Sequence, residues 1–250
     1  MIPKIIHQIW LQGEDKIPPE LSEHYDSCKR INNDFEHMFW DETKIKKLFK
    51  DTYNDKYTEL YDSYKHFAQK ADLARYVILY TYGGIYLDMD TLCKKNLSVF
   101  LHHNFFTTIY GDYYYKIYKR YHNAVIGSIP KHPVFLVMFK NIYARQKYSN
   151  MITYSTGTRL FYDSVQEYLK NNPNDITLID PKYLNPCTIL DDPYCAKTCQ
   201  DCYIAHTSNS SWSTPLKIIK FISSNKNKIL YIVFVFIIYI LYVILSKKIK

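Results

Sequence analysis

The sequence predicts an α/β protein in which a mostly parallel sheet is flanked by helices. Short apolar runs alternate with longer stretches of helical periodicity, a pattern typical of chains that build parallel sheets. Two aspartates, Asp88 and Asp90, directly follow one apolar run, and ligands of such sheets bind beyond the carboxyl ends of the strands. A long apolar stretch at residues 229–245 predicts an additional, membrane-spanning helix at the C-terminus.

The predicted strands are brief runs rich in branched and aromatic side chains. The run at 85–87 lies between Gly83-Gly84 and Asp88, which predicts a buried strand with the acidic pair at its carboxyl end. The other expected strands cover residues 3–10, 35–40, 124–126 and 176–179.

The predicted helices carry start and stop signals. Pro18-Pro19 opens one that runs to about residue 31, because proline suits the first helical turn, and Asp41 is an N-cap for the next. The longest covers residues 57–82 and stops at Gly83-Gly84, where a left-handed cap needs no Cβ. Two more are expected near residues 133–145 and 159–169.

The charge distribution argues against nucleic acid as a partner. The chain has a formal net charge of +8, but seven lysines follow residue 216 with no acidic residue or arginine among them. The remaining 216 residues are therefore nearly neutral, unlike a nucleic-acid-binding surface. Flanking lysines suit anionic lipid headgroups instead. They are Lys217, Lys220, Lys226, Lys228, Lys247, Lys248 and Lys250.

The apolar run at residues 229–245 predicts a single-pass C-terminal anchor. As a helix it would span roughly 26 Å, which suits a thin bilayer such as the endoplasmic reticulum. The chain then divides into a folded domain at 1–216, a basic linker at 217–228, the anchor and a basic tail at 246–250. We expect an endomembrane location. Orientation stays open, because a tail anchor places the domain in the cytosol whereas the terminal lysines resemble a retrieval signal that must itself face the cytosol.

The cysteines fall into two groups. Cys28 and Cys93 are isolated in sequence, whereas Cys187, Cys195, Cys199 and Cys202 form a cluster. The spacing of the last three also matches an iron–sulfur loop, but spacing alone is a weak signal. Two local disulfides or a small zinc site are the simpler interpretations of the cluster, and both give it a structural role.

The acidic pair is the strongest chemical signal in the chain. At the end of a strand, Asp88 and Asp90 can both reach one ion, and their hard oxygen ligands suit Mg²⁺ or Mn²⁺. Such an ion neutralises charge that develops on a diphosphate leaving group. The alternative is a solvated acidic turn, since turns are rich in aspartate.

A second polar pair precedes this strand. Asp72 and Arg75 are spaced i and i+3, so they share one face of the predicted helix. A surface ion pair is the simplest interpretation, worth roughly 0–1 kcal/mol. However, the Gly83-Gly84 turn directs the next strand back along the helix. We therefore expect the pair near Asp88 and Asp90, where a diphosphate sugar would need an acceptor and a cation.

These segments resemble glycosyltransferase family 32, which includes α-1,6-mannosyltransferases and inositolphosphoceramide mannosyltransferases. Residues 71–76 (ADLARY) and 82–91 (YGGIYLDMDT) are similar to its signature, and residues 2–10 (IPKIIHQIW) to its opening strand. Residues 123–133 (NAVIGSIPKHP), and His206 followed by Ser211-Trp212, resemble later blocks of the family. The resemblance runs in order from residue 2 to about residue 213.

The resemblance implies a GT-A-type, Rossmann-like fold and a metal-dependent retaining transferase. The donor would be a GDP- or UDP-hexose (mannose, glucose or galactose), the cofactor Mn²⁺ or Mg²⁺, and the acceptor a glycan or a membrane-associated lipid. Asp88 and Asp90 would be catalytic and would bind the metal, with His206 as a third contact. The donor would be bound by Trp10, Asp72, Arg75, Gly84, Asn123, Ser211 and Trp212.

Several of these residues have simpler interpretations. Trp10 could fill the core, His206 could be a packed histidine, and Trp212 could cover a surface near the membrane. The chain also departs from the family at Thr156-Gly157-Thr158, where Thr-Gly-Pro is common, and this bears on the acceptor side.

Two other functions compete with a transferase. Asp88-Met89-Asp90-Thr91 also resembles the D-x-D-x-T pattern of haloacid-dehalogenase phosphatases, whose two aspartates it shares, with Asp191-Asp192 as a later acidic pair. That motif normally opens its domain, and the phosphatase hypothesis leaves Asp72 and Arg75 unexplained. The chain could also be an inactive sugar-binding membrane protein, although the intact acidic pair argues against this.

Overall fold

The fold is seen in a computed structural model, in which residues 1–53, 55–109, 120–187, 195–206 and 225 are described. The strands are β1 (Ile5–Ile9), β2 (Glu36–Trp40), β3 (Gly84–Leu87), β4 (Thr91–Cys93), β5 (Phe105–Ile109), β6 (Tyr121–Ser128), β7 (Thr177–Ile179) and β8 (Ile204–His206). The helices are α1 (Pro19–Ile31), α2 (Glu42–Thr52), α3 (Asp55–Ser63), α4 (Phe67–Tyr82), α5 (Val134–Ala144), α6 (Ile152–Ser155), α7 (Thr158–Leu169), α8 (Pro181–Leu184) and α9 (Cys195–Thr198).

Six strands form the main sheet in the order β2-β1-β3-β6-β5-β7. Parallel pairs join β1 to β2, β1 to β3 and β5 to β7, whereas β6 runs antiparallel to both of its neighbours. The sheet is therefore mostly parallel, as the sequence predicts. Strands β4 and β8 form a separate antiparallel pair, which was too short to be recognised from periodicity.

Two apolar cores lie on opposite faces of the sheet. Helices α2, α4, α5 and α7 pack on one face around buried side chains such as Phe49, Val77 and Phe161. On the other face, α1, α8 and the β4–β8 pair enclose residues such as Ile6, Ile85 and Leu87. Because side chains alternate along a strand, β3 sends Ile85 and Leu87 to this second core and Tyr86 to the first.

The predicted helix over residues 57–82 is wrong in one respect, because it is two helices. The chain leaves helical geometry after Ser63, and His66 is extended (φ −100°, ψ 129°) before α4 begins. Tyr64, in this break, is buried in the first core. The change of direction lets both α3 and α4 contribute side chains to that core.

Three disulfides tie the described chain together. Cys187–Cys195 and Cys199–Cys202 confirm local pairing within the cysteine cluster. Cys28 and Cys93, isolated in sequence, are also paired, and they link α1 to β4 with a sequence separation of 65 residues. The zinc alternative for the cluster is therefore not supported.

Among the described residues, no helix is long and apolar enough to cross a membrane. The predicted anchor at residues 229–245, the tail after it and all of the linker before it except residue 225 lie outside the described residues, and the anchor stays a prediction.

Candidate active site

The acidic pair lies where β3 ends. Asp88 follows the last residue of β3, and its backbone N–H donates to Ala124 O on the neighbouring β6 at 2.9 Å. A tight turn follows, in which the N–H of Thr91 donates to Asp88 O at 3.1 Å. This turn starts β4 and keeps Asp88 and Asp90 on the same side of the chain.

His206 joins the acidic pair through strand pairing. In the β4–β8 ladder Thr91 is opposite His206, which brings this distant histidine beside the turn. Its Nε2 lies 2.9 Å from Asp90 Oδ1 and 3.9 Å from Asp88 Oδ2. One ligand atom from each of the three residues lies within 4.8 Å of the others. The two carboxylates suit Mn²⁺ or Mg²⁺, whereas the imidazole is a ligand more typical of transition-metal ions.

The protonation of this cluster follows from its charges. Burial alone would lower the pKa of His206, but the nearby carboxylates of Asp90 and Asp88 outweigh it and raise the pKa to about 10. Burial would raise the pKa of Asp88, yet Arg75 and His206 hold it well below its usual range. Without an ion, the raised pKa of His206 keeps its imidazole protonated between the carboxylates, and a cation held by these three residues would replace that proton.

Asp72 and Arg75 lie behind Asp88. Arg75 Nη1 is 3.1 Å from Asp88 Oδ1, and Arg75 Nη2 is 3.2 Å from Asp72 Oδ1. Both side chains are at most 7% exposed, whereas the side chain of Asp88 is 28% exposed. The expected proximity to the acidic pair is confirmed, and Arg75 links the two aspartates.

The carboxylate of Asp72 is held by hydrogen bonds as well as by charge. Asn123 Nδ2 donates to its Oδ1 at 3.0 Å, and Thr156 Oγ1 donates to its Oδ2 at 2.9 Å. Burial raises the pKa of Asp72 to about 6, against the opposing effect of Arg75. Asn123 was predicted as a site residue, whereas Thr156 was noted only as part of a departure from the family pattern.

A bulge in β6 sets the positions of two site residues. The register between β5 and β6 shifts between Phe106 and Thr108, and the hydroxyl of Thr107 donates to His122 O (2.7 Å) and to Val125 O (3.0 Å). As a result, His122 contacts the ring of His206, with centroids 4.9 Å apart, while Asn123 reaches Asp72. Bulges commonly redirect side chains beside active sites in this way.

Tyr86 and Gln8 were not recognised from the sequence. The Tyr86 hydroxyl donates to Asp88 Oδ1 at 2.6 Å, and the Arg75 guanidinium lies 4.6 Å from its ring centroid. The sequence did contain a signal for Tyr86: it lies two residues before Asp88, and residues i and i+2 of a strand share a face. Near the end of β1, Gln8 is 2% exposed, and among the described residues its amide has no hydrogen-bond partner. Gln8 lies within the segment that resembles the opening strand of the family, but its type and spacing do not distinguish it from its neighbours.

Trp10 and Gly84 differ in how they relate to the site. Trp10 follows β1, at the same end of the parallel strands as Asp88. It packs on a cluster that contains Met89, and its indole N–H donates to Lys16 O at 2.9 Å. Gly84 is at the other end of β3 from Asp88. A Cβ there would lie 2.7 Å from Ile5 O. Close packing between β1 and β3 thus explains a glycine at position 84, and the donor-binding role of Gly84 stays a prediction.

Two predicted site residues, Ser211 and Trp212, lie outside the described residues, as do Asp191 and Asp192 of the phosphatase alternative. The described site nevertheless combines an Asp-Asp-His cluster at the edge of a mostly parallel sheet with a buried arginine behind it. This arrangement defines the class of glycosyltransferases with a GT-A-type fold and a D-x-D motif.

The comparisons with known proteins agree. Residues 18–107 match the family described as the glycosyltransferase sugar-binding region containing a DXD motif. An uncharacterized glycosyltransferase of Acanthamoeba polyphaga mimivirus is 52% identical over 94% of this chain and 92% of its own length. The chain belongs to this DXD-containing family of glycosyltransferases, of the family 32 type. The phosphatase and inactive alternatives are not favoured.

More distant relatives are mannosyltransferases. Inositol phosphoceramide mannosyltransferase 2 of Schizosaccharomyces pombe is 29% identical over 85% of this chain, which spans 58% of that protein's length. Among solved structures, the glycosyltransferase PaToxG has a TM-score of 0.54 at 16% identity, covering 68% of this chain and 70% of that one. The ligand-free glycosyltransferase domain of the YGT toxin has a TM-score of 0.51 at 10% identity, covering 71% and 80%. These two likenesses show the fold alone.

Proposed function

We propose that the protein transfers a hexose from a nucleotide-sugar donor, with retention of anomeric configuration, in a reaction that requires Mn²⁺ or Mg²⁺. The observation that carries the proposal is the Asp88, Asp90 and His206 cluster, whose ligand atoms lie within 4.8 Å of one another. These residues would hold the cation, and a bound cation supplies positive charge against the diphosphate leaving group. The names of the mannosyltransferase relatives favour GDP-mannose over UDP-glucose and UDP-galactose.

The residues around the cluster have distinct proposed roles. Tyr86 and Arg75 fix the orientation of the Asp88 carboxylate by a hydrogen bond and an ion pair. This rigidity favours catalysis, because a preorganised site does not have to reorganise as charge develops. Asp72 and Asn123 would contact the donor sugar from the same network. Trp10 would flank the nucleobase, and Ser211 with Trp212 would close over the diphosphate.

The acceptor and the membrane location belong to the same proposal. Several relatives are named inositol phosphoceramide mannosyltransferases, and inositol phosphoceramide is a lipid. The proposed acceptor is therefore a glycan or a membrane lipid. The predicted C-terminal anchor would place the domain on an endomembrane beside such a lipid.

The test is the release of nucleoside diphosphate by the full chain from a panel of UDP- and GDP-sugars. Assays with Mn²⁺, with Mg²⁺ and with a chelator would compare the parent protein with Asp90→Asn and with Asp51→Asn. Asp51 is an exposed aspartate paired with Lys47, so its variant controls for a change of charge alone.

We expect metal-dependent release from one donor, lost in Asp90→Asn and retained in Asp51→Asn. Release that persists in the chelator, or that survives Asp90→Asn unchanged, would contradict the proposal.

A further inference from the structure

Two loops that meet at the start of α4 carry a group of exposed apolar side chains. Phe67 is 60% exposed, Met151 57% and Tyr148 40%. The loops are joined by Gln69, whose side-chain amide donates to Ser149 O and to Ser155 Oγ, both at 2.9 Å. Large exposed apolar side chains that cluster on neighbouring loops mark interaction sites more often than isolated ones do.

This loop surface also has a uniform charge. Lys65 and Lys147 are exposed, and neither has an ion-pair partner among the described residues. The segments 64–67 and 145–152 contain no acidic residue. Nearby in sequence, Asp62 is paired with Lys46, and Asp163 is paired with arginines. The surface therefore combines apolar tips with unneutralised positive charge.

The loop surface lies at the same end of the sheet as the active site. Gln69 contacts Ser155, and one turn further along α4 Asp72 contacts Thr156, so the two contacts are successive links between the same segments. Phe67 precedes Asp72 by five residues, about 7.5 Å along a helix axis. A partner bound to this surface would be next to the site that holds the donor.

We propose that this surface, formed by Lys65, Phe67, Lys147, Tyr148 and Met151, is the face with which the domain contacts an anionic lipid bilayer. Apolar tips that enter the headgroup region, a tyrosine at the interface and flanking lysines are the features that bind proteins to such membranes. Two sequence features agree with a bilayer as the occupant: the apolar run at residues 229–245 and the lysines on both sides of it. Contact through this face turns the mouth of the active site toward the membrane, and so toward a lipid-linked acceptor.

The inference goes beyond the transfer reaction and is tested without it. Phe67→Trp and Met151→Trp would each place a fluorescent reporter on the loop surface of the full chain. The matched control is Leu136→Trp, because Leu136 is 53% exposed and lies in the first turn of α5, the helix that follows β6. The last residue of β6, Ser128, is paired with Gly84 at the opposite end of β3 from Asp88. The proteins would be incorporated into vesicles of phosphatidylcholine, with or without phosphatidylserine, that carry brominated acyl chains.

We expect the added fluorescence at positions 67 and 151, measured against the parent chain, to be quenched by brominated lipid when phosphatidylserine is present. Fluorescence at position 136 should be unaffected. Adding Lys65→Glu and Lys147→Glu to Phe67→Trp should abolish the quenching while the midpoint of denaturant unfolding stays the same, which shows that the fold is intact.

Quenching at position 136 equal to that at 67 and 151 would overturn the inference. Quenching that is the same with and without phosphatidylserine would also overturn it. Because the reporter signal does not depend on turnover, a failure here is distinguishable from a failure of the proposed transferase activity.

Discussion

At the scale of single residues, the site depends on how the Asp88 carboxylate is held. Its Oδ1 accepts a hydrogen bond from the Tyr86 hydroxyl and lies beside the Arg75 guanidinium. A hydrogen bond to a charged group contributes about 1.5–3 kcal/mol, so the loss of one donor should be measurable in activity. Tyr86 acts through Asp88 and is therefore a positioning residue.

The Tyr86→Phe variant removes only this hydroxyl. We expect kcat for nucleoside diphosphate release to fall by about tenfold or more and the apparent affinity for Mn²⁺ to weaken, because Asp88 loses a fixed orientation. The matched control is Tyr61→Phe, since Tyr61 is equally buried and its hydroxyl has no hydrogen-bond partner among the described residues. Equal effects of the two substitutions would count against the positioning role.

The protonation of His206 predicts how cation binding depends on pH. Since the carboxylates raise the pKa of His206 to about 10, the imidazole is protonated at neutral pH and must lose that proton to bind a metal. Cation affinity should therefore increase with pH, by about tenfold per pH unit below ~10. Calorimetry in buffers of different protonation enthalpy measures the released proton directly. An affinity that is independent of pH would show that His206 is not a ligand.

At the scale of elements, the bulge in β6 connects the sheet to the site. Thr107 on β5 stabilises it by donating to His122 O and Val125 O. Thr107→Val should cost about 1–3 kcal/mol of unfolding free energy and should also lower activity, because His122 and Asn123 would lose their set positions. Thr108→Val is the matched control, since Thr108 borders the bulge through its backbone, but its side-chain hydroxyl donates to Ile179 O on β7.

Chemical denaturation and nucleoside diphosphate release would be measured on both variants. We expect both variants to lose a similar amount of unfolding free energy. Only Thr107→Val should also lose activity. If the two variants retain the same activity, the bulge does not position the site.

The elements also show what the sequence can and cannot predict. Asp88, Asp90, Asp72 and Arg75 were predictable because their signals are local, namely a strand end and an i, i+3 spacing. The position of His206 was not derivable from periodicity, because it depends on the pairing of β4 with β8, two strands of three residues each that are far apart in sequence. The bulge in β6 and the break before α4 depend likewise on packing that no short segment specifies.

At the scale of the whole molecule, the Cys28–Cys93 disulfide links α1 to the strand that follows the acidic pair. Closing a loop of this length restricts the unfolded chain and stabilises the fold by about 4 kcal/mol in the chain-entropy account. Replacing both cysteines by alanine should lower the free energy of unfolding by about 2–5 kcal/mol.

The control for this prediction is the double replacement of Cys199 and Cys202, whose sequence separation is only 3 residues. Its effect should be smaller, because a short loop has little entropy to lose. Both would be measured by denaturant titration of the full chain. A larger effect for the short loop would contradict the assignment of Cys28–Cys93 as the more stabilising pair.

Among the described residues, one group of side chains could hold a cation, the Asp88, Asp90 and His206 cluster at the end of β3. The number and location of bound cations test this proposed site most directly. Free Mn²⁺ has an electron paramagnetic resonance signal that disappears on binding, so it would be titrated against the parent chain, His206→Gln and Asp51→Asn. We expect one bound Mn²⁺ in the parent chain and in Asp51→Asn, with binding much weaker in His206→Gln. Identical titrations for the parent chain and His206→Gln would show that the Asp88, Asp90 and His206 cluster is not the metal centre.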